Sequence, residues 1–128
     1  MPLATAINPA GYGISRKQGG GSMTNKAETA LQNAIRAVLS EAGIVRRNNV
    51  GTFLTLYGVP VRIGLPGESD LTWFIRNGQT IFVEIKTPDG RQSRQQKQFQ
   101  SVIESYGFRY VILRSVEDAR KLIEEVKV

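Results

Sequence analysis

Cysteine and histidine are both absent from this chain of 128 residues. Without thiols there is no disulfide, no thiolate nucleophile and no Cys-ligated zinc. Without imidazole there is no Ser-His-Asp triad, no histidine general base and no His-ligated metal. The sequence also lacks a run of about 18 apolar residues, the length a membrane-spanning helix needs. No charged-then-apolar leader precedes a cleavage site, so a cytoplasmic protein is expected. Catalysis, if there is any, falls to carboxylates, lysine, tyrosine or a hard metal held by oxygen. What remains is enough for one domain with a real core. Acids are the scarcer charge, 11 against 17 Lys and Arg, for a net +6. That balance favours a polyanionic partner, with an ordinary basic soluble protein as the alternative.

Residues Met1 to Ser22 hold no sustained period and end in Gly19-Gly20-Gly21-Ser22, directly before Met23. This is the pattern of an appended peptide and flexible linker ahead of a start methionine, a natural disordered arm being the alternative. Residues 23–128 then form the single domain. Asn25 to Ala42 reads as a helix with Asn25 as cap and Glu28 as its capping-box partner. Ala27, Leu31, Ala34, Ile35, Val38, Leu39 and Ala42 form its apolar stripe, and Gly43 stops it. Ile44 to Asn49 carries Arg46 and Arg47, either phosphate contacts or a solvated turn. Short β-prone runs follow near Thr52 to Tyr57 and Val59 to Ile63, interrupted by Gly58-Val59-Pro60. Ser93 caps a second helix, with Gln96 at the capping-box position and Phe99, Val102, Ile103 and Tyr106 as its buried side. Arg109 to Arg114 is a strand, and Ser115 caps a last helix with Val116, Ala119, Leu122, Ile123 and Val126 facing inward. Helix, strands, helix, strand, helix predicts a three-layer α/β domain with a mixed sheet.

The chemistry concentrates in Gly64 to Lys86, GLPGESDLTWFIRNGQTIFVEIK. A Gly/Pro turn delivers Asp70 to an apolar run, and Asn77-Gly78 is a two-residue hairpin signal. In the returning run Ile81, Val83 and Ile85 face one side, Phe82, Glu84 and Lys86 the other. An acid and a base on an otherwise apolar strand are costly to bury; a divalent metal supplies a reason. A two-residue turn sets Asp70 opposite Ile85, so a bulge or twist is needed to bring Asp70 and Glu84 to one ion. Mg²⁺ or Mn²⁺ held by Asp70, Glu84 and the Ile85 carbonyl would leave sites for water and phosphate. Lys86 would orient or deprotonate the attacking water, or offset charge on the phosphate. A surface hairpin with ordinary charges is the bland alternative, since E-x-K alone is common. Arg91, Arg94 and Lys97 cluster at the start of the second helix, where DNA phosphates would be favoured.

Gly64, Pro66, Gly67, Ser69, Asp70 and Leu71, then Glu84-Ile85-Lys86, then Gly90, Arg91, Ser93, Gln96 and Phe99 resemble the pattern of the VRR-NUC family. That family lies within the PD-(D/E)xK nucleases, and the resemblance spans nearly all of Ala27 to Val126, with Arg47-Asn48 and Gly51 included. Ser69 stands where the superfamily motif has proline, as the family allows. The resemblance implies a restriction-endonuclease-like core, with a mixed β-sheet flanked by helices, and a Mg²⁺- or Mn²⁺-dependent endodeoxyribonuclease. It makes Asp70 and Glu84 metal ligands and Lys86 the catalytic lysine. Glu28 would complete the site from the first helix and Gln96 support it from the second, roles compatible with capping. Small stand-alone members resemble phage or prophage proteins, acting as homodimers on branched, Holliday-junction-like DNA. A simple nicking, flap or restriction-like nuclease and a non-catalytic DNA-binding module of the same fold are the alternatives. Phe53, Leu54, Leu56 and Tyr57 offer a dimer surface, or else ordinary core.

Overall fold

The computed structural model describes residues 12–14 and 22–127. In chain order the elements are β1 (Tyr12–Ile14), α1 (Ser22–Leu39), β2 (Gly43–Arg47), β3 (Gly51–Thr55), β4 (Pro60–Ile63) and β5 (Leu71–Ile75). After these come β6 (Gln79–Ile85), α2 (Arg94–Ser105), β7 (Arg109–Leu113) and α3 (Val116–Val126). A four-stranded sheet runs in the order β2-β5-β6-β7. The first two pairings are antiparallel and β6-β7 is parallel, so the sheet is mixed, as expected. Helix α2 makes the crossover that a parallel neighbour demands.

Alternation in β6 sorts the layers. Ile81 and Val83 are buried with Leu71 and Trp73 of β5 against Ile35 and Leu39 of α1 and Leu122 of α3. The opposite face turns Phe82 toward α2 and the link that follows it, where its ring meets Phe99 of α2 at 5.9 Å and Phe108, just before β7, at 5.6 Å, both edge-on. Trp73 is fully buried, and its indole N–H donates to the Leu39 carbonyl at 3.0 Å, tying the sheet to the end of α1.

Several expectations shift. No glycine or proline separates Ser22 from Lys26, so α1 runs back to the glycine run and Asn25 lies inside it rather than capping it. The helix stops at Leu39, where the amides of Glu41 and Ala42 bond to carbonyls only three residues back. Gly43 therefore opens β2 instead of capping α1, and Arg46 and Arg47 lie on that edge strand rather than in a turn. Ala27 is exposed on α1; Val102 and Tyr106 are exposed because α2 meets the sheet through a narrow stripe around Phe99 and Ile103. The second helix otherwise follows its signals: Ser93 and Gln96 form a reciprocal capping box.

The runs around Gly58-Val59-Pro60 form a separate three-stranded sheet, β1-β3-β4. Strand β1 lies within the segment read as appended and pairs with β3. The β3-β4 hairpin leaves Leu56, Tyr57 and Val59 exposed, Tyr57 at 92 %. Leu54 is also exposed and Phe53 half-buried, so none of the four belongs to the buried core.

The central hairpin is present with a different register. Asn77 and Gly78 both take positive φ, 73° and 74°, as the turn signal requires. Arg76 joins the connection, however, so Ile75 pairs with Gln79 and Leu71 with Val83. The ladder is displaced one residue from the expected one. Its next step sets Asp70 opposite Glu84, on the face shared by Thr72 and Phe82, and no bulge is needed.

Candidate active site

Asp70 sits at the exit of the Gly64–Ser69 segment, which is braced on three sides. Gly67 holds φ 76° with its backbone against the first turn of α2; a Cβ there would lie 2.2 Å from the Gln95 carbonyl oxygen. The Glu68 carboxylate accepts the Leu65 amide at 3.0 Å. Ser69 is fully buried, its hydroxyl donating to the Leu71 carbonyl at 3.1 Å. Beyond the last ladder pair the Asp70 carboxylate accepts the Ile85 N–H at 2.8 Å. A side chain thus replaces a backbone carbonyl as the next rung. Burial raises the Asp70 pKa above its usual value, against the pull of that amide and of the Lys86 charge.

Glu84 is 1 % exposed. Its Oε2 accepts from Gln96 Nε2 at 2.9 Å and lies 3.5 Å from Lys86 Nζ. Its Oε1 is buried without a hydrogen-bond partner among the described residues. Burial and then the Asp70 charge push its pKa up to about 8, while Lys86 acts in the opposite sense. A buried acid with one oxygen unsatisfied is an expensive arrangement in a fold that has only its own atoms to offer. Such a carboxylate holds a proton or accepts a cation.

The predicted residues distribute as follows. Asp70, Glu84, Lys86 and Gln96 are brought together, and Ile85 contributes its amide to Asp70. Glu28 is exposed on α1; its charge reaches Asp70 and raises its pKa, as the weakest of the named influences. Among the described residues no three Asp or Glu side chains gather into a metal-holding cluster. Arg91, Arg94 and Lys97 are exposed around the N-terminus of α2, beside Gln96. Arg47 pairs with Leu71 and Arg46 with Thr72, which puts both exposed arginines at the same end of the sheet as Asp70.

Three residues take supporting roles that the sequence reading did not assign, although Asn48 stands within the family resemblance. The Asn48 side chain bonds to Ser69 and Thr72, and the Asn48 amide donates to the Asp70 carbonyl at 2.8 Å. Arg114 donates to the carbonyls of Thr87 and Gly90, each at 2.7 Å, folding the turn that leaves Lys86. Tyr110 is buried and accepts from Gln92 at 3.3 Å; burial and the Glu84 charge raise its pKa. Local pattern points to none of these, because the partners lie 18 to 27 residues away. A cleft of about 1320 Å³ lies elsewhere, beside Ile44, Phe74, Arg76 and Lys121 at the turn end of the hairpin.

A solved structure described as a VRR_NUC domain superposes on this chain with a TM-score of 0.59. The match covers 77 % of this chain and 96 % of that one, at 21 % identity. The fold is that of a VRR_NUC domain. A mixed sheet flanked by helices is common to both expectation and structure. No protein-family model and no curated protein matches the chain. Among the described residues no helix is long and apolar enough to cross a membrane.

Proposed function

We propose that the chain is a divalent-metal-dependent endodeoxyribonuclease. The observation that carries this reading is the buried Glu84, one oxygen unpartnered, opposite Asp70 and 3.5 Å from Lys86 on a VRR_NUC fold. The donor set fits a hard cation: two carboxylates, each with its pKa raised by burial, and the Ile85 carbonyl, all oxygen. Asp70, Glu84 and Ile85 would hold Mg²⁺ or Mn²⁺. When bound, the ion supplies Lewis acidity toward a phosphodiester and lowers the pKa of water.

The chain's own residues do the rest. Gln96 fixes Glu84 through Oε2 and leaves Oε1 free. Lys86, at 19 % exposure, places a cation where water and phosphate meet the two acids. As a cation it orients the water and offsets charge on the phosphate; the alternative role, deprotonating the water, belongs to its neutral form. Glu28 adds negative charge from α1. Arg91, Arg94 and Lys97 on one side and Arg46 and Arg47 on the other give phosphate contacts to a DNA backbone.

Selectivity for branched DNA and action as a homodimer complete the proposal. One chain presents one Asp70-Glu84-Lys86 site, whereas paired cuts in opposing strands of a junction need two, which a two-fold axis supplies. The exposed apolar tip of the β3-β4 hairpin, Leu56, Tyr57 and Val59, supports a contact between copies. Labelled four-way junction, flap, nicked and linear duplexes, incubated with Mg²⁺, Mn²⁺ or EDTA, test the activity. Metal-dependent cleavage preferring the junction is expected, while binding without turnover would leave a DNA-binding module. Sedimentation at micromolar concentration tests the dimer: a strict monomer that only nicks would replace the resolvase reading with that of a simple nuclease.

A further inference from the structure

The contacts of Asn48 point to a role of their own. Its Nδ2 donates to the Ser69 carbonyl at 3.0 Å and to the Thr72 hydroxyl at 2.9 Å. The Thr72 hydroxyl lies 3.3 Å from Asn48 Oδ1, and the Asn48 amide donates to the Asp70 carbonyl at 2.8 Å. The contacts therefore fall on residues before, at and after Asp70, across 21 to 24 positions of sequence. Ser69 is fully buried and Thr72 nearly so, which denies water as a substitute partner for either. Asn48 also follows Arg47 directly, at the end of β2 that runs beside β5.

We propose that Asn48 is a positioning residue that sets the Asp70 carboxylate for its rung with Ile85 and for the metal site. The assignment rests on the nuclease reading of Asp70 and Glu84. Asp70 stands beyond the last β5-β6 pair, so on that side strand pairing does not fix it, and on the β2 side only the Asn48 amide holds its carbonyl. Asn48 supplies the missing restraint from β2. The side chain needs its N–H group, because both Ser69 O and Thr72 Oγ1 are its acceptors.

The Ile85 amide reports the outcome directly, since it donates to the Asp70 carboxylate. Amide exchange of the full metal-free chain, read by nuclear magnetic resonance, compares Ile85 with Ile81 and Val83 of the same strand. Asn48→Ala should speed exchange at Ile85 about tenfold, the population change that accompanies one lost hydrogen bond, with Ile81 and Val83 unchanged. Asn48→Asp keeps the shape without the donor and should do the same. Thr72→Val, which retains the Ser69 bond, should show a weaker form, and Thr72→Ser should restore protection. In cleavage assays Asn48→Asp should lower kcat while KM for DNA stays put. Unchanged Ile85 exchange in both Asn48 variants overturns the proposal, as does an equal rise at all three amides. A wild-type chain that cuts no DNA refutes the nuclease reading instead, and Ile85 exchange still decides what Asn48 does to Asp70.

Discussion

Strands β5 and β6 end in opposite ways. At the turn end, Arg76, Asn77 and Gly78 are exposed and each left-handed φ falls on a residue type that accepts it. At the other end, Asp70 and Glu84 are drawn under cover with their pKa values raised by burial and one carboxylate oxygen unsatisfied. The first end obeys every local rule of strand pairing. The second violates the rule against buried charge, and the surrounding contacts from Asn48, Gly67 and Gln96 hold it that way. Departures of this kind concentrate where a protein does chemistry.

That contrast is best broken at the acids. Asp70→Asn or Glu84→Gln should abolish Mg²⁺-dependent cleavage while DNA binding persists, checked by product formation and by a mobility-shift titration on the same protein. Near-wild-type turnover in either variant would erase the difference between the two ends. Glu84→Gln should also melt higher than wild type in EDTA at pH 8. A carboxyl whose folded pKa of about 8 lies above its unfolded 4.5 keeps its stabilising contribution only below the lower value and loses it as pH rises through the higher. Glutamine removes that loss, and thermal unfolding at pH 5 and pH 8 measures it.

Lys86→Ala comes next, with a loss of about 10²-fold in kcat, the scale of a lost charge at a phosphoryl centre. Calorimetry should show Mn²⁺ affinity hardly reduced, since a neighbouring positive charge has gone. Neutralising Arg91, Arg94 and Lys97 together should weaken binding to every DNA shape alike. The slope of log affinity against log salt should flatten by about one unit per lost phosphate contact; an unchanged slope would move the track to Arg46 and Arg47. The smallest effect belongs to the turn end. Gly78→Ala meets open space but keeps φ near +74°, a strain worth about 1 kcal/mol. It should lower the melting temperature and leave kcat untouched, the reverse of Glu84→Gln.

The same contrast explains what could be read in advance. Asn77-Gly78, the alternation of β6 and the Ser93–Gln96 capping box are local signals, and each appears where its pattern places it. Register was less legible, because one residue more in the connection moves every partner; Arg76 made that difference and set Asp70 against Glu84. The contacts of Asn48 and Arg114 follow from no local period or turn signal, since their partners are carbonyls more than 20 residues distant; the family resemblance includes Asn48 without giving it a role. The apolar run of β3 and β4 has the composition of core, yet its hairpin stands apart from the main sheet with Tyr57 in solvent.

The Gly64–Ser69 segment has the composition of a connector that tolerates insertions, rich in glycine and proline. The contact of Gly67 with the Gln95 carbonyl gives it a different character. Gln96, the next residue of that helix, grips Glu84, while the segment itself leads directly into Asp70. One backbone contact therefore gauges the spacing between the two acids, as a shim does between machined faces. Lengthening this connector by even one residue should shift one acid against the other and cost cleavage while the fold survives.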